Sequence, residues 1–293
     1  MTVQSEMKGE IEFRLVVSCP DRVGIVAAVS QFLSDRDASL VESHHHTDED
    51  QLWFFMRNVF RASAETFSEV DFSDNFSAIA ERFQIEWKLR DTRKRRRVVI
   101  LASHASHCVA DILHRWKSGE LLCEIPCVIS NHENLRSMVE WHGIPFHFVP
   151  VDKQDKEPHF AQITEIIDRH DAETVVLARY MQIMPPAICD LYKGKLINIH
   201  HSFLPAFIGA NPYQKAYDRG VKLIGATCHY VTQDLDEGPI IEQDIVRVSH
   251  SCGKDDLVRL GRDVERSVLS RGLRYHLEDR VIARGNKTVV FAE

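Results

Sequence analysis

Leu196-Ile197-Asn198-Ile199-His200-His201-Ser202-Phe203-Leu204-Pro205 reads as an apolar strand that ends in reactive side chains. Asn198 and His200 are two positions apart, and at that spacing both leave the same face of a strand. Further on, Asp234-Leu235-Asp236-Glu237-Gly238-Pro239-Ile240-Ile241 forms a tight turn that can present a carboxylate. An amide, an imidazole and an acid suit attack on a carbonyl. The first two supply donors for the developing oxyanion, and the acid supplies a base for the attacking group. A strand-end histidine alone is commonly structural; the two turns around this one give it weight.

Outward from this stretch the pattern alternates. Strands are expected at 97–102, 124–130, 145–149, 174–178 and 195–200, with helices at 107–117, 132–142, 158–169 and 185–192. Repeated strand-then-helix order implies an α/β, Rossmann-like domain with a mainly parallel sheet and right-handed crossovers. Ligands in such sheets sit beyond the carboxyl ends of the strands, which is where Asn198 and His200 fall. Strands at 222–231 and 239–248 follow. A long helix over 255–277 carries Leu257, Leu260, Val264, Val268 and Leu273 on one side, and Gly285-Asn286 turns a last hairpin.

The first 90 residues read differently. Alternation over 11–18 predicts a half-buried strand, and Ile25, Val26, Val29, Phe32 and Leu33 mark a helix. Strands over 38–46 and 51–60 are followed by a helix over 67–83, with Val70, Phe76, Ile79 and Ala80 inward, and a strand over 84–89. The order βαββαβ is ferredoxin-like. Residues 90–97, Arg-Asp-Thr-Arg-Lys-Arg-Arg-Arg, break the pattern and read as an interdomain linker rather than a nucleic-acid patch. The expected domains are therefore 10–90, a basic linker at 91–97, and 98–293. Trp87, Trp116 and Trp141 fall at core-like positions.

Bulk properties exclude several classes. The chain has 293 residues, 44% of them hydrophobic, and a formal charge of −7, which argues against a general nucleic-acid binder. The polar start (residues 1–10) lacks an apolar signal region, and no apolar run approaches the length of a membrane span, so a cytoplasmic location is expected. The seven cysteines are odd in number and lack framework spacing, which favours reduced thiols over disulfides or zinc. His44-His45-His46 cannot converge on one ion from a strand, because neighbours alternate in direction; no metal is expected.

The combined motifs carry a resemblance. Asn-Ile-His-His-Ser-Phe-Leu-Pro, the Leu235–Ile241 loop, Leu177-Ala178-Arg179-Tyr180-Met181-Gln182, Ser202–Ala210 and Gly225-Ala226-Thr227 are similar to the folate-dependent formyltransferase fold. Within it the chain resembles the formyltetrahydrofolate deformylases from about residue 10 to its end. The N-terminal part resembles an ACT domain, a small-molecule regulatory module. The resemblance implies that Asn198, His200 and Asp236 form the catalytic trio. It implies that 10-formyltetrahydrofolate is substrate, water is co-substrate and no cofactor is used. It implies a pterin pocket walled, largely through backbone groups, by residues 177–184 (Leu177, Arg179, Tyr180, Met181, Gln182 and Met184 foremost) and 231–236 (Val231 and Asp234 foremost), with Gly209 in the Ser202–Ala210 motif; solvation or turn formation explains Asp234 equally well. It also implies amino-acid control and self-association through the ACT-like part. There the Asp21-Arg22-Val23-Gly24 turn, with Ile25, is either an effector pocket or a plain helix entry capped by Asp21.

Hydrolysis and transfer are separable. Transferases of the glycinamide ribonucleotide class are expected to cradle a phosphate on a glycine-rich loop after the first strand of this domain. Here Leu101-Ala102-Ser103-His104-Ala105-Ser106-His107-Cys108 has no glycine, so close backbone approach to a phosphate is harder. His200-His201 likewise departs from the His-Pro of many transferases. A formyltransferase acting on an amine and an inactive folate-fold sensor are the competing readings.

Overall fold

The computed structural model describes residues 9–206 and 212–292, which divide into two compact units. The first holds residues up to Arg95 together with Asp279–Ile282 and the chain's end from Val289. Strand β1 (Glu10–Pro20) alternates strictly between buried and part-exposed positions, as its sequence pattern requires. It pairs antiparallel with β3 (Trp53–Ser63) and β4 (Glu86–Asp91), and β2 (Ser39–Asp48) closes the order β2-β3-β1-β4. Helices α1 (Ile25–Ser34) and α2 (Glu69–Phe83) complete the βαββαβ order; Val29, Phe32, Phe72 and Phe76 from these helices form a core with Phe13, Leu15 and Val17 of β1. The unit is thus ferredoxin-like.

Three expectations for this unit change. Val70 is 68% exposed, because the inward stripe of α2 runs through Phe72, Phe76 and Phe83. The cap of α1 is Gly24, in the left-handed region (φ 99°), and not Asp21. The basic run is only briefly a connection: Arg90 and Asp91 end β4, Arg96 and Arg97 begin the next strand, and residues 92–95 turn between them. Buried Asp91 holds that turn by accepting from the Arg93 backbone N–H and guanidinium.

The second unit comprises Arg96–Glu278 and Ala283–Thr288. Strands β5 (Arg96–Ala102), β7 (Val128–Ser130), β8 (Phe146–Phe148), β9 (Thr174–Ala178) and β10 (Leu196–His200) are parallel; β6 (Cys123–Glu124) adds a short parallel pair to β5. The order is β12-β11-β10-β9-β5-β7-β8, with β11 (Leu223–Tyr230) and β12 (Ile240–Arg247) antiparallel at one side. All five β9 residues are buried, as strands covered on both faces require. The strand expected over 124–130 is split into β6 and β7 around Pro126, which offers no N–H to a ladder.

Helices α3 (His107–Lys117), α4 (Arg136–Trp141), α5 (Glu157–Arg169) and α6 (Pro186–Leu191) provide the crossovers. Trp141, expected in the core, is 81% exposed at the end of α4, where Val139 faces inward. α7 (Pro212–Arg219) was not foreseen; its mostly polar sequence buries only Pro212 and Ala216. α8 (Lys254–Leu277) lies across β10, β11 and β12. Its buried stripe includes Leu257, Val268 and Leu273, but also Gly261 and Glu265, while Leu260 and Val264 are half-buried.

The terminal hairpin, β13 (Val281–Arg284) and β14 (Lys287–Val290), turns at Gly285-Asn286. Ile282 and Phe291 pack with Phe55 of the first unit's sheet, which is why the chain's end, expected wholly within 98–293, groups partly with that unit. All seven cysteines are free, and no described helix is long and apolar enough to cross a membrane.

Candidate active site

The strand order reverses between β5 and β9, and beside that point the carboxyl ends of β9, β10 and β11 and the loops that follow β9 and β11 line a cavity of about 420 Å³. Asn198, His200 and Asp236 all line it. β10 ends in Asn198 and His200 on one face, and its antiparallel neighbour places His229 opposite Asn198. The turn after β11 then brings Asp236 back, at φ 60°, so that its Oδ1 lies 3.2 Å from His200 Nδ1 and 3.9 Å from His229 Nε2. The path of that turn depends on Gly238, where a Cβ would stand 1.8 Å from the Tyr230 carbonyl oxygen.

His229 is the residue that sequence reasoning missed. It is 1% exposed, and its Nδ1–H donates to the Tyr230 carbonyl at 2.9 Å. Nε2 is then left as an acceptor, and the Asn198 Nδ2–H donates to it at 3.2 Å. Burial lowers the His229 pKa, so the ring stays neutral in this acceptor role. One amide hydrogen of Asn198 is thereby committed and the other is free for the cavity. The signal was available as a cross-strand pairing, but only once the register of β10 and β11 is known.

Burial alone would raise the Asp236 carboxyl. The hydrogen bond from His200, with the charge of that ring, outweighs it, so its pKa lies below the usual value. Both imidazole contacts converge on Oδ1, which leaves Oδ2 for a water. His200 Nε2 is buried without a hydrogen-bond partner among the described residues.

The pocket wall from β9 holds Leu177, Arg179, Tyr180, Met181, Gln182 and Met184, and the other wall holds Val231. Ser103 anchors the first wall: its hydroxyl donates to Asn131 Oδ1 at 2.7 Å and accepts from the Met181 N–H at 3.0 Å. Tyr180 is buried, with its hydroxyl 2.5 Å from His159 Nε2. Asp234 does not line the cavity; it is exposed, and its carbonyl accepts from Thr232 and Glu237, as a turn residue does. Ile183, Thr232, Gln233 and Leu235, within the two expected walls, line the cavity as well, and Ile199 and His201 line it without having been expected there. Gly209 lies outside the described residues. Asp21, Val23 and Gly24 are exposed, whereas Ile25 is 1% exposed within the apolar core of its unit.

Arg179 has a second set of partners. Held at φ 60°, it contacts His201 Nδ1 through Nη1 and stands 3.2 Å from Glu265 through Nε. Glu265 also accepts from His107 Nε2 at 2.8 Å and from the Tyr213 hydroxyl at 2.5 Å. Gly261, one turn earlier on α8, makes room for that tyrosine: a Cβ would lie 2.0 Å from its hydroxyl. Burial, with Arg179 beside it, pushes the His201 pKa down to about 3, so this ring too is neutral.

The formyl transferase family matches residues 96–273, and the ACT domain family matches residues 13–83. The chain is 48% identical to a formyltetrahydrofolate deformylase of Bacillus subtilis (strain 168), over 95% of this chain and 93% of that protein. The chain belongs to the formyltetrahydrofolate deformylase family. A formyltetrahydrofolate deformylase crystal structure from Pseudomonas syringae pv. tomato matches with a TM-score of 0.94 at 57% identity, covering 99% of this chain and 97% of that one. A glycinamide ribonucleotide transformylase 1 from Symbiobacterium toebii matches over only 68% of this chain and 95% of its own, with a TM-score of 0.64 and 26% identity.

Proposed function

We propose that this chain hydrolyses 10-formyltetrahydrofolate to formate and tetrahydrofolate. The observation that carries the reading is the 3.2 Å approach of Asp236 Oδ1 to His200 Nδ1, with Asn198 on the same strand face. A cavity of about 420 Å³ with a largely apolar lining suits a flat heteroaromatic ring. The formyl carbon then faces the trio. Asp236 takes a proton from water as the water oxygen bonds to that carbon. The free Asn198 amide hydrogen and the His200 Nε2–H, with the ring as imidazolium, hold the tetrahedral oxyanion. Collapse breaks the carbon–nitrogen bond, and the folate nitrogen leaves with a proton. One oxyanion donor contributes roughly a hundred- to thousand-fold in rate.

Water rather than an amine is the acceptor in this reading. Two residues at the glycine-free loop are engaged internally: Ser103 donates to Asn131 and accepts from the pocket wall, and His107 bonds Glu265. The ACT-like unit is proposed to bind an amino acid and to pair with a second copy of the chain.

The deciding experiment measures formate released from 10-formyltetrahydrofolate with and without amine acceptors, glycinamide ribonucleotide among them. Acceptor-independent formate is expected. Formyl transfer to the amine in preference to water would replace the hydrolase with a transferase, and no turnover at all would leave a folate-binding sensor.

A further inference from the structure

Three donors that hydrolysis does not use converge at the other side of the same sheet. Cys127 immediately precedes β7, His147 is central in β8, and His170 caps the carboxyl end of α5. One ligand atom from each lies within 4.8 Å of the other two. The fold explains the meeting. His147 pairs with Ile129, and Cys127 is two residues before Ile129, so all three leave one face of the sheet. Phe160, Ile163, Ile166 and Ile167 of α5 pack in the same apolar cluster as Cys127 and Ile129, which delivers the helix end and His170 to the pair.

Two observations point to a ligand. Nε2 of His147 is buried with no hydrogen-bond partner among the described residues, an expensive state for a polar atom. The Cys127 thiol is fully buried beside it. We propose that Cys127, His147 and His170 bind a borderline-soft divalent cation, Zn²⁺ foremost, with water in the fourth position. A thiolate and two imidazoles are the donors such ions prefer over the oxygen ligands of Mg²⁺ or Ca²⁺. Tetrahedral Zn–S and Zn–N bonds of about 2.3 and 2.0 Å set donor separations of about 3.5 Å, so the cluster needs to close by no more than about 1.3 Å on binding. The two half-buried imidazoles can rotate to do this, while β7, β8 and α5 stay paired. The carboxyl end of a helix also favours a cation.

The charged and titratable groups facing His147 are His170, Arg169 and Arg136. Arg136 is engaged by Glu133 and Glu140, and Arg169 by Glu165, so neither confronts the ion as a bare charge. Binding forms a sulfur–metal bond and releases the thiol proton to solvent.

The test titrates the full chain with Co²⁺ and follows the near-ultraviolet thiolate-to-cobalt band and the visible bands of four-coordinate cobalt. One equivalent is expected, displaced by Zn²⁺, with a higher thermal midpoint in Zn²⁺ than in chelator. Cys127→Ser should abolish the thiolate band. His170→Ala, at a half-buried helix end, should weaken binding at least about tenfold while folding normally. Absence of a thiolate band in the wild type overturns the proposal. So does a band that survives Cys127→Ser or is unmoved by His170→Ala, because another thiol, such as Cys108 beside His107, then holds the metal.

Discussion

Asp236 and Glu265 are two shielded carboxylates in one unit with opposite surroundings. The Glu265 side chain is 1% exposed and saturated: an imidazole, a phenol and a guanidinium share its two oxygens. The Asp236 side chain is 10% exposed, and its recorded contacts fall on Oδ1, at the wall of a cavity. For both, burial raises the pKa and the surrounding donors and cations bring it back below the usual value. The difference lies in what is left over. A carboxylate with both oxygens engaged and no cavity beside it holds elements together, whereas one with a free oxygen facing a cavity can still take a proton. On that argument Glu265 joins α3, α7 and the Arg179 loop to α8, and Asp236 is the carboxylate proposed as the base.

Glu265→Ala is the harshest test of the structural half. It leaves the buried Arg179 guanidinium unbalanced, and should cost about 3–5 kcal/mol of unfolding free energy. Urea denaturation reads this directly. A loss under about 1 kcal/mol would mean that Arg179 finds water or another acceptor, and the saturated cluster would lose its structural standing.

Asp236→Asn tests the other half. Turnover should fall by about a hundred-fold or more with the urea midpoint and folate affinity nearly kept. If turnover stays near normal, the base role moves elsewhere. If stability instead collapses, the contrast with Glu265 disappears, because Asp236 would then be structural as well.

His229 sharpens the comparison from within the site, since it aims Asn198 without facing the substrate as a donor. His229→Ala should lower turnover by roughly tenfold, the equivalent of one hydrogen bond of about 1.4 kcal/mol. His229→Gln, which keeps an acceptor near the amide, should recover part of the loss. Equal losses in both variants would show that the ring acts by filling space.

These contrasts were unevenly legible in the sequence. Period-two and period-3.6 patterns exposed the βαββαβ unit and the α/β order, because burial imposes those periods on apolar residues. Asn198 and His200 were legible as a pair because they share one strand face, whereas Asp236 was singled out in its turn by the family resemblance. His229 and Glu265 were not legible. His229 matters through an antiparallel register, and Glu265 sits at a helical position where the apolar stripe predicts a hydrophobe. Trp141 and Val70 went astray for a related reason: an apolar side chain indicates burial only when its helix presents that face inward. The helix over 212–219 carries almost no apolar period, so only its packing reveals it.

Acidification separates the carboxylates from the histidines around them. Both carboxylates have depressed folded pKa values, so their stabilising contributions persist well below neutrality and fade only as pH drops below about 4. His201 behaves oppositely. Its folded pKa is about 3 against an unfolded value near ~6.5. Below that unfolded value the denatured chain binds a proton that the folded chain refuses, so stability falls as pH falls from about 6.5 toward 3. For His201 alone the loss should reach roughly 1 kcal/mol by about pH 5.5. Urea midpoints at neutral and mildly acid pH, compared with those of His201→Gln, isolate the effect: the variant should show the shallower decline. Parallel declines would mean that the Arg179 contact does not keep this ring neutral. The link from the saturated Glu265 cluster through Arg179 to the catalytic strand would then carry no electrostatic influence.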